Sequence, residues 1–297
     1  NNPHELLKHV DIALYRAKKS GPGTIRFFEA SDDQAARDRR ALQRDLEQAI
    51  EANQLFLVYQ PFLDIRKGRI TGFEALLRWN HPARGTVSPV DIIPVAEDMG
   101  LIVDLGRWIL RKACMECMKW PEAVSVAVNF SPQQFHQRDV LSEVRYALEV
   151  SGLPAHRLEI EITESSLLHN TELTHDVLSQ LRSLGVRISL DDFGTGYSSL
   201  SYLRSFPFDK IKIDRCFVTD IADPQGSAGI VEAVVNIAAE RSMTTTAEGV
   251  ETAQQQQLLR ELGCSEMQGY LFSRPKPAAE VRGLFGRGDT MPVAAVA

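Results

Sequence analysis

The sequence is short of several things, and each shortage excludes a class of protein. Of 297 residues only four are cysteine (Cys114, Cys117, Cys216, Cys264). That gives no disulfide framework and points to a reducing compartment. Cys114-Met-Glu-Cys117 is formally a C-x-x-C. With no second pair and no histidine partner it reads as packing on one helix face, not as a zinc or redox site. Positive charge is not in excess: 33 Lys and Arg stand against 39 Asp and Glu, a net charge of −6. A nucleic acid polymer is thereby excluded as a bulk partner, because phosphate binding needs a basic face. A small phosphorylated ligand held through cations is not excluded. No apolar run reaches the ~18 residues that a membrane helix needs, since Ala123–Val128 is short and Ile230–Ala239 is broken by Glu232. The chain opens Asn1-Asn2-Pro3-His4, with neither an initiator methionine nor a secretory leader. It is expected to be an excised, cytoplasmic fragment of a longer protein, whose upstream segments leave membrane attachment open.

What is present is ordinary globular material, 44% hydrophobic and 24% charged, so wholesale disorder is excluded as well. Residues 1–30 read as one helix (Leu6, Leu7, Val10, Ile12, Leu14, Ala17) closed by Lys18-Lys19-Ser20-Gly21, then a short strand, Thr24–Phe28. A lone helix and strand cannot bury a core, so they are expected to be the last elements of a preceding domain. Residues 31–53 predict a charge-dense linker helix with Leu42, Leu46, Ala49 and Ile50 on one stripe. From Leu55 onward, strand and helix patterns alternate. Strands are expected at Leu55–Tyr59, Gly72–Leu77, Val124–Phe130, Leu158–Ile162, Val186–Leu190, Lys210–Ile213, Met243–Ala247 and Cys264–Tyr270. Amphipathic runs lie between most of them: Pro89–Met99, Gln133–Val150, Glu172–Leu184, Ala228–Glu240 and Gln254–Leu262. Eight strands with intervening helices have the size and rhythm of an α/β fold of the (β/α)8 TIM-barrel type, which takes about 250 residues. A doubly wound open sheet is the alternative, but Gly194-Thr195-Gly196 lacks the third glycine of its phosphate fingerprint.

A barrel builds its active site at the C-terminal ends of its strands, and the residues expected there are polar. They are Gln60 on the first strand, Glu74 and Arg78 on the second, Asn129 on the third, Glu161 and Glu164 on the fourth, and Asp191-Asp192 on the fifth. Lys212 follows on the sixth, Glu248 and Glu251 on the seventh, and Gln268 on the eighth. Singly these are unremarkable: Glu159 and Glu161 fit a solvated strand face, Asp191-Asp192 a cap, Asn129 a loop. Together, so many converging acids would repel one another unless cations neutralise them. Oxygen donors without histidine or cysteine suit Mg²⁺ or Mn²⁺, and paired acids suit a two-metal clamp on phosphorus. Asp192-Phe-Gly194 spells a kinase motif without the rest of a kinase. His175-Asp176 fits a solvated helix face better than a metal dyad. Lys212 as the Schiff-base lysine of a barrel aldolase stays open as a minor reading, although surrounding acids would hold it protonated.

At these residues the chain resembles the EAL domain, the bacterial cyclic di-GMP phosphodiesterase. The similarity runs from about Arg39 to Phe285 in one order. It takes in Glu74-Ala75-Leu76-Leu77-Arg78-Trp79-Asn80-His81-Pro82, Asn129-Phe130-Ser131, Glu161-Ile-Thr-Glu164, Asp191-Asp192-Phe-Gly-Thr-Gly-Tyr-Ser-Ser-Leu200, Lys212-Ile-Asp214, Glu248-Gly-Val-Glu251 and Gln268-Gly269. Val10 to Gly21 likewise resembles the closing helix of a GGDEF domain, although Gly21-Pro22-Gly23 departs from its usual ending. The resemblance implies residues 1–30 as a GGDEF remnant, 31–53 as a linker, 39–285 as a TIM-barrel-like EAL domain and 286–297 as a disordered tail. It implies metal-dependent hydrolysis of cyclic di-GMP to linear pGpG in second-messenger signalling. Glu74, Asn129, Glu161, Asp191, Asp192 and Glu248 would be the ligands of Mg²⁺ or Mn²⁺. Lys212 and Glu248, with Glu74, would be catalytic, and Gln60, Arg78 and Gln268 would touch substrate. Glu164 and Glu251 would steady the loop after the fifth strand. A homodimer through the barrel and upstream GGDEF or sensory domains are further implications. The alternative is a silent or activation-dependent receptor. Departures from the pattern are Ile92, where an aromatic is usual, and Thr244-Thr245-Thr246, expected to soften barrel packing.

Overall fold

A computed structural model describes residues 10, 14, 25, 27, 30–135, 140–167, 171–194, 200–223 and 225–285. The expected helix and strand of 1–30 lie almost wholly outside the described residues, as do the tail and residues 195–199 of the loop after the fifth strand. The chain forms two compact units, one of residues up to Leu55 with Trp79–Leu101, the other of Phe56–Arg78 with Ile102 onward.

In the first unit the linker helix α1 spans Ala30–Glu51, with Leu42, Leu46 and Ala49 of the expected stripe buried. Helix α2 is Pro89–Asp98, and β3, Gly85–Val87, pairs antiparallel with Trp79–His81. Polar ties bind these pieces. His81 Nδ1 accepts from the Ala83 N–H, which leaves Nε2 to donate to Asp45 Oδ2 at 3.1 Å. Arg39 pairs with Asp98, and Trp79 Nε1 donates to Gln54 Oε1 at 3.0 Å.

The second unit holds the barrel. Its strands are β1 (Leu55–Asp64), β2 (Arg69–His81), β4 (Ser125–Phe130), β5 (Leu158–Thr163), β6 (Arg187–Phe193), β7 (Lys210–Ile213), β8 (Thr244–Ala247) and β9 (Glu266–Met267). The two-residue β10, Lys276–Pro277, flanks β1. The order β1-β9-β8-β7-β6-β5-β4-β2 closes through a β1–β2 pairing into an eight-stranded barrel. From β2 round to β9 neighbouring strands are parallel. β1 departs from a regular (β/α)8 barrel, for it runs antiparallel to β9 and hence to β2. Gln60 therefore lies inside a ten-residue antiparallel strand and not at the C-terminal end of a parallel one. The eighth strand is shorter than expected, Glu266–Met267 in place of Cys264–Tyr270.

Helices pack outside the strands: α3 (Ile102–Cys117), α4 (Pro132–Phe135), α5 (Val140–Ser151), α6 (Thr171–Ser183), α7 (Leu200–Ser205), α8 (Arg215–Thr219), α9 (Ala228–Glu240), α10 (Ala253–Glu261) and α11 (Ala278–Val281). Cys114 and Cys117 are both buried on α3, where the Cys117 carbonyl accepts from buried Arg157 at 2.8 Å. Thr245 and Thr246 are both buried, and Thr246 Oγ1 donates to Glu266 Oε2 at 3.0 Å.

Candidate active site

The strands deliver their acids to one point, and a lysine stands at its centre. Lys212, on β7, is 1% exposed. Its Nζ lies 2.6 Å from Glu248 Oε1, 3.0 Å from Glu161 Oε2, 3.1 Å from Asp191 Oδ1 and 3.8 Å from Glu74 Oε2. Burial pulls this ammonium down, but the carboxylates of Asp191, Glu161, Glu248 and Glu74 together outweigh it and raise Lys212 well above its ordinary value. Lys212 is therefore charged and fully paired. That disfavours a Schiff-base lysine, which must be neutral to attack a carbonyl.

The acids respond in the opposite sense. Burial raises Glu161 well above the carboxylate range; Lys212 opposes the rise, while Glu74 and Asp191 add to it. Asp191 is raised by burial against the same lysine. Glu248 is pushed up to about 8 and Asp192 to about 6, burial being the largest cause in both and Asp191 adding to each.

Asp191 and Asp192 are consecutive, and in a regular strand their side chains would point to opposite faces. The register of β6 against β7 shifts between Leu190 and Phe193, and Asp192 takes a left-handed φ of +54°. A bulge of this kind re-aims a side chain. Carboxylate oxygens of Asp191, Asp192 and Glu248 come to lie within 4.8 Å of one another, a group that could hold a metal ion. The donor chemistry fits a hard divalent cation. So does the environment of Glu161, which is fully buried yet has no hydrogen-bond partner for Oε1.

Glu74 is held from two sides. Its Oε1 accepts from Asn129 Nδ2 at 2.7 Å, and its Oε2 accepts from Gln268 Nε2 at 2.8 Å. Gln268, expected at the substrate, is 3% exposed and gives its amide to Glu74 and to Gln60 Oε1. Its own Oε1 is buried without a partner. Gln60 Nε2 in turn donates to the Ser273 carbonyl at 3.4 Å. The close pass of this turn depends on glycine, because a Cβ on Gly269 would collide with the Val250 backbone. Arg78 is half-buried, with Nη1 donating to the Leu77 carbonyl at 2.7 Å. Burial lowers its pKa from the ordinary guanidinium value, with Tyr270 and Glu74 opposing the shift.

Two expected residues stand apart from this cluster. Glu164 Oε1 accepts from the Gly194 N–H at 3.3 Å, just after β6. The Glu251 side chain is exposed, and the hydrogen bond at that position runs from its backbone N–H to Gln255 Oε1 beside α10. The sequence reading missed an Arg274 guanidinium 4.3 Å over the Tyr270 ring. It also missed a second group of buried charges on β5, β7 and β9, signalled by the alternation Glu159-Ile-Glu161 and Lys210-Ile-Lys212.

The sequence matches the EAL domain family over residues 43–275. It is 50% identical over 280 residues to "Uncharacterized protein y4lL" of Sinorhizobium fredii, covering 94% of this chain and 34% of that protein. It is 42% identical over 282 residues to "Bifunctional diguanylate cyclase/cyclic di-GMP phosphodiesterase MucR" of Pseudomonas aeruginosa, covering 94% of this chain and 41% of MucR. The chain thus spans about a third to two fifths of the length of these relatives. Among solved structures, "PaMucR Phosphodiesterase, c-di-GMP complex" superimposes with a TM-score of 0.78 at 42% identity, covering 81% of this chain and 99% of the other. The chain belongs to the EAL domain family.

Proposed function

We propose that the chain hydrolyses cyclic di-GMP to linear pGpG. One observation carries the reading: a single buried ammonium, Lys212, among four carboxylates, with a fifth, Asp192, beside them. Ionised, these groups leave four formal negative charges, the charge that two divalent cations neutralise. Glu74, Asn129, Glu161, Asp191, Asp192 and Glu248 would hold Mg²⁺ or Mn²⁺. Bound there, the cations supply Lewis acidity toward the phosphate and lower the pKa of water.

The chain's own residues do the rest. Lys212 orients the attacking water and adds positive charge where the phosphorane becomes more negative. Glu248, 2.6 Å from Lys212 Nζ, accepts the water proton. Water oxygen bonds to phosphorus, the bond from phosphorus to the 3′ oxygen breaks, and that oxygen takes the proton held by Glu248 and leaves as a hydroxyl. Arg78 offers a fork of donors to a phosphate. Gln60 completes the substrate wall, and Gln268 holds Glu74. Glu164, through Gly194, steadies the loop that follows β6; Glu251 is assigned the same task from its place before α10. Residues 39–285 form the catalytic domain and 31–53 the linker from a GGDEF domain whose remnant is 1–30. A barrel-mediated homodimer and a cytoplasmic setting complete the reading. Among the described residues no helix is long and apolar enough to cross a membrane.

The test is incubation of the chain with cyclic di-GMP and Mg²⁺ or Mn²⁺, then with chelator, and separation of the products. Metal-dependent pGpG is expected, with Asp191→Asn abolishing it while nucleotide binding persists. Binding without cleavage in every metal would make the chain a receptor and refute the enzyme reading.

A further inference from the structure

Beneath the site the barrel buries a second set of charges that the proposed reaction does not use. Lys210 Nζ lies 2.9 Å from Glu159 Oε1 and 2.8 Å from Glu266 Oε2. Arg187 Nη2 is 3.5 Å from Glu159 Oε2, and Glu266 also accepts from Thr71 Oγ1 at 2.7 Å and Thr246 Oγ1 at 3.0 Å. Four of these residues stand two positions before a site residue on the same stretch of chain. Glu159 precedes Glu161, Lys210 precedes Lys212, Thr246 precedes Glu248, and Glu266 precedes Gln268. On β5 and β7 a step of two keeps both members on one strand face, about 6.6 Å apart. Small residues on β2 and β4 leave the room: Gly72 and Ala127 precede Glu74 and Asn129 in the same way. A Cβ on Gly72 would collide with Ser125 Oγ and crowd the Phe62 ring.

Stability alone is a poor account of such a layer. Desolvating buried ions offsets most of their attraction, and replacing a whole buried ionic group with neutral side chains of similar volume is often neutral or stabilising. What the layer does supply is directional spacing. It joins β5 to β7 to β9, and through the two threonines it reaches β2 and β8. Those five strands carry or lead into Glu161, Lys212, Gln268, Glu74 and Glu248. We propose that Glu159, Lys210 and Glu266 are positioning residues that set the spacing of the catalytic side chains above them, an inference that rests on the phosphodiesterase reading.

The experiment compares the wild-type chain with the triple variant Glu159→Gln/Lys210→Met/Glu266→Gln, which removes the three buried charges together and leaves the partly exposed Arg187 in place. Lys210→Met alone leaves Glu266 without a cation and Glu159 with Arg187 alone, and serves as the folding comparison. Each protein is assayed for melting temperature and for kcat and KM on cyclic di-GMP with Mg²⁺. The triple variant is expected to melt within a few degrees of wild type. Its kcat should fall about 10- to 100-fold, since misplacement of about 1 Å costs on that order, with KM nearly unchanged. A triple variant with wild-type kcat overturns the proposal. So does one that fails to fold, or whose kcat and melting temperature fall together, because the layer would then serve stability alone. A wild-type chain that does not cleave the nucleotide refutes the phosphodiesterase reading, and the positioning role with it.

Discussion

Replacing Lys212 with methionine keeps much of its volume and removes the one cation shared by Glu248, Glu161 and Asp191 at 2.6, 3.0 and 3.1 Å. Breaking a buried pair by deleting one partner costs about 3–5 kcal/mol. With three partners this close, the metal-free protein at high pH should lose about 5 kcal/mol, the top of that range. The loss has a definite pH sign. Burial holds folded Glu248 near 8, above its ordinary 4.5, so between those values the folded protein binds more protons than the unfolded one. Stability of the metal-free chain therefore falls as pH rises through that window. Methionine removes the charge that opposes the rise, moving Glu248, Glu161 and Asp191 further up. The deficit of the variant is thus small near pH 5.5, where Glu248 carries its proton in both proteins, and grows as pH rises past 8. Urea unfolding followed by circular dichroism in EDTA measures it. At an m-value of about 3 kcal/mol/M, the midpoint should drop by up to about 1.5–2 M as pH rises past 8. Excess Mg²⁺ should return about 2–3 kcal/mol, its concentration being roughly 100 times its Kd. Equal midpoints at pH 8.5, or a deficit that shrinks as pH rises, would refute the claim that Lys212 neutralises ionised acids.

Arg78→Ala should raise KM for cyclic di-GMP by roughly 10- to 100-fold while kcat changes little, as befits loss of one charge-assisted contact to phosphate; a kcat loss at constant KM would place Arg78 in the chemistry instead. Native chain treated with maleimide at pH 7.5 should label slowly at Cys216 alone. Cys216 is exposed, though partial desolvation and then Asp214 hold it at about 11, whereas burial keeps Cys114 near 12 and Cys117 and Cys264 near 11 and out of reach. Mass spectrometry that finds a second label before urea is added would contradict that burial.

The strands were legible as short runs set between helix patterns, and β4 to β8, buried along most of their length, fall within a few residues of their expected places. Strand direction leaves no such trace. Nothing in Leu55–Asp64 says that β1 runs antiparallel, since both directions bury alternate side chains alike. The bulge at Asp192 was equally hidden, because a left-handed φ is announced by glycine and here falls on aspartate. Two adjacent acids read naturally as facing opposite ways, and only the shifted register brings them together. Gln268 shows a third kind of limit. Its neighbours Gln60 and Glu74 lie some two hundred residues away in sequence, so its service to Glu74 could not be seen until the barrel closed.

The buried charges raise the sharpest instance. Glu159 and Glu161 alternate on β5 as Lys210 and Lys212 do on β7, and in sequence the members of each pair look interchangeable. Their difference lies in the balance of charge around them. In the lower layer Glu159 and Glu266 face Lys210 and Arg187, two acids against two bases, and the hydroxyls of Thr71 and Thr246 take up further lone pairs of Glu266. Such a layer is balanced in formal charge, although Glu159 Oε1, 2.9 Å from Lys210 Nζ, makes no hydrogen bond. One pleat higher, five carboxylates face one lysine, with Glu161 Oε1 left without a donor. That layer is incomplete, and its deficit is of cations. The same two residue types, repeated at a spacing of two, therefore give a scaffold where the charges close and a site where they do not.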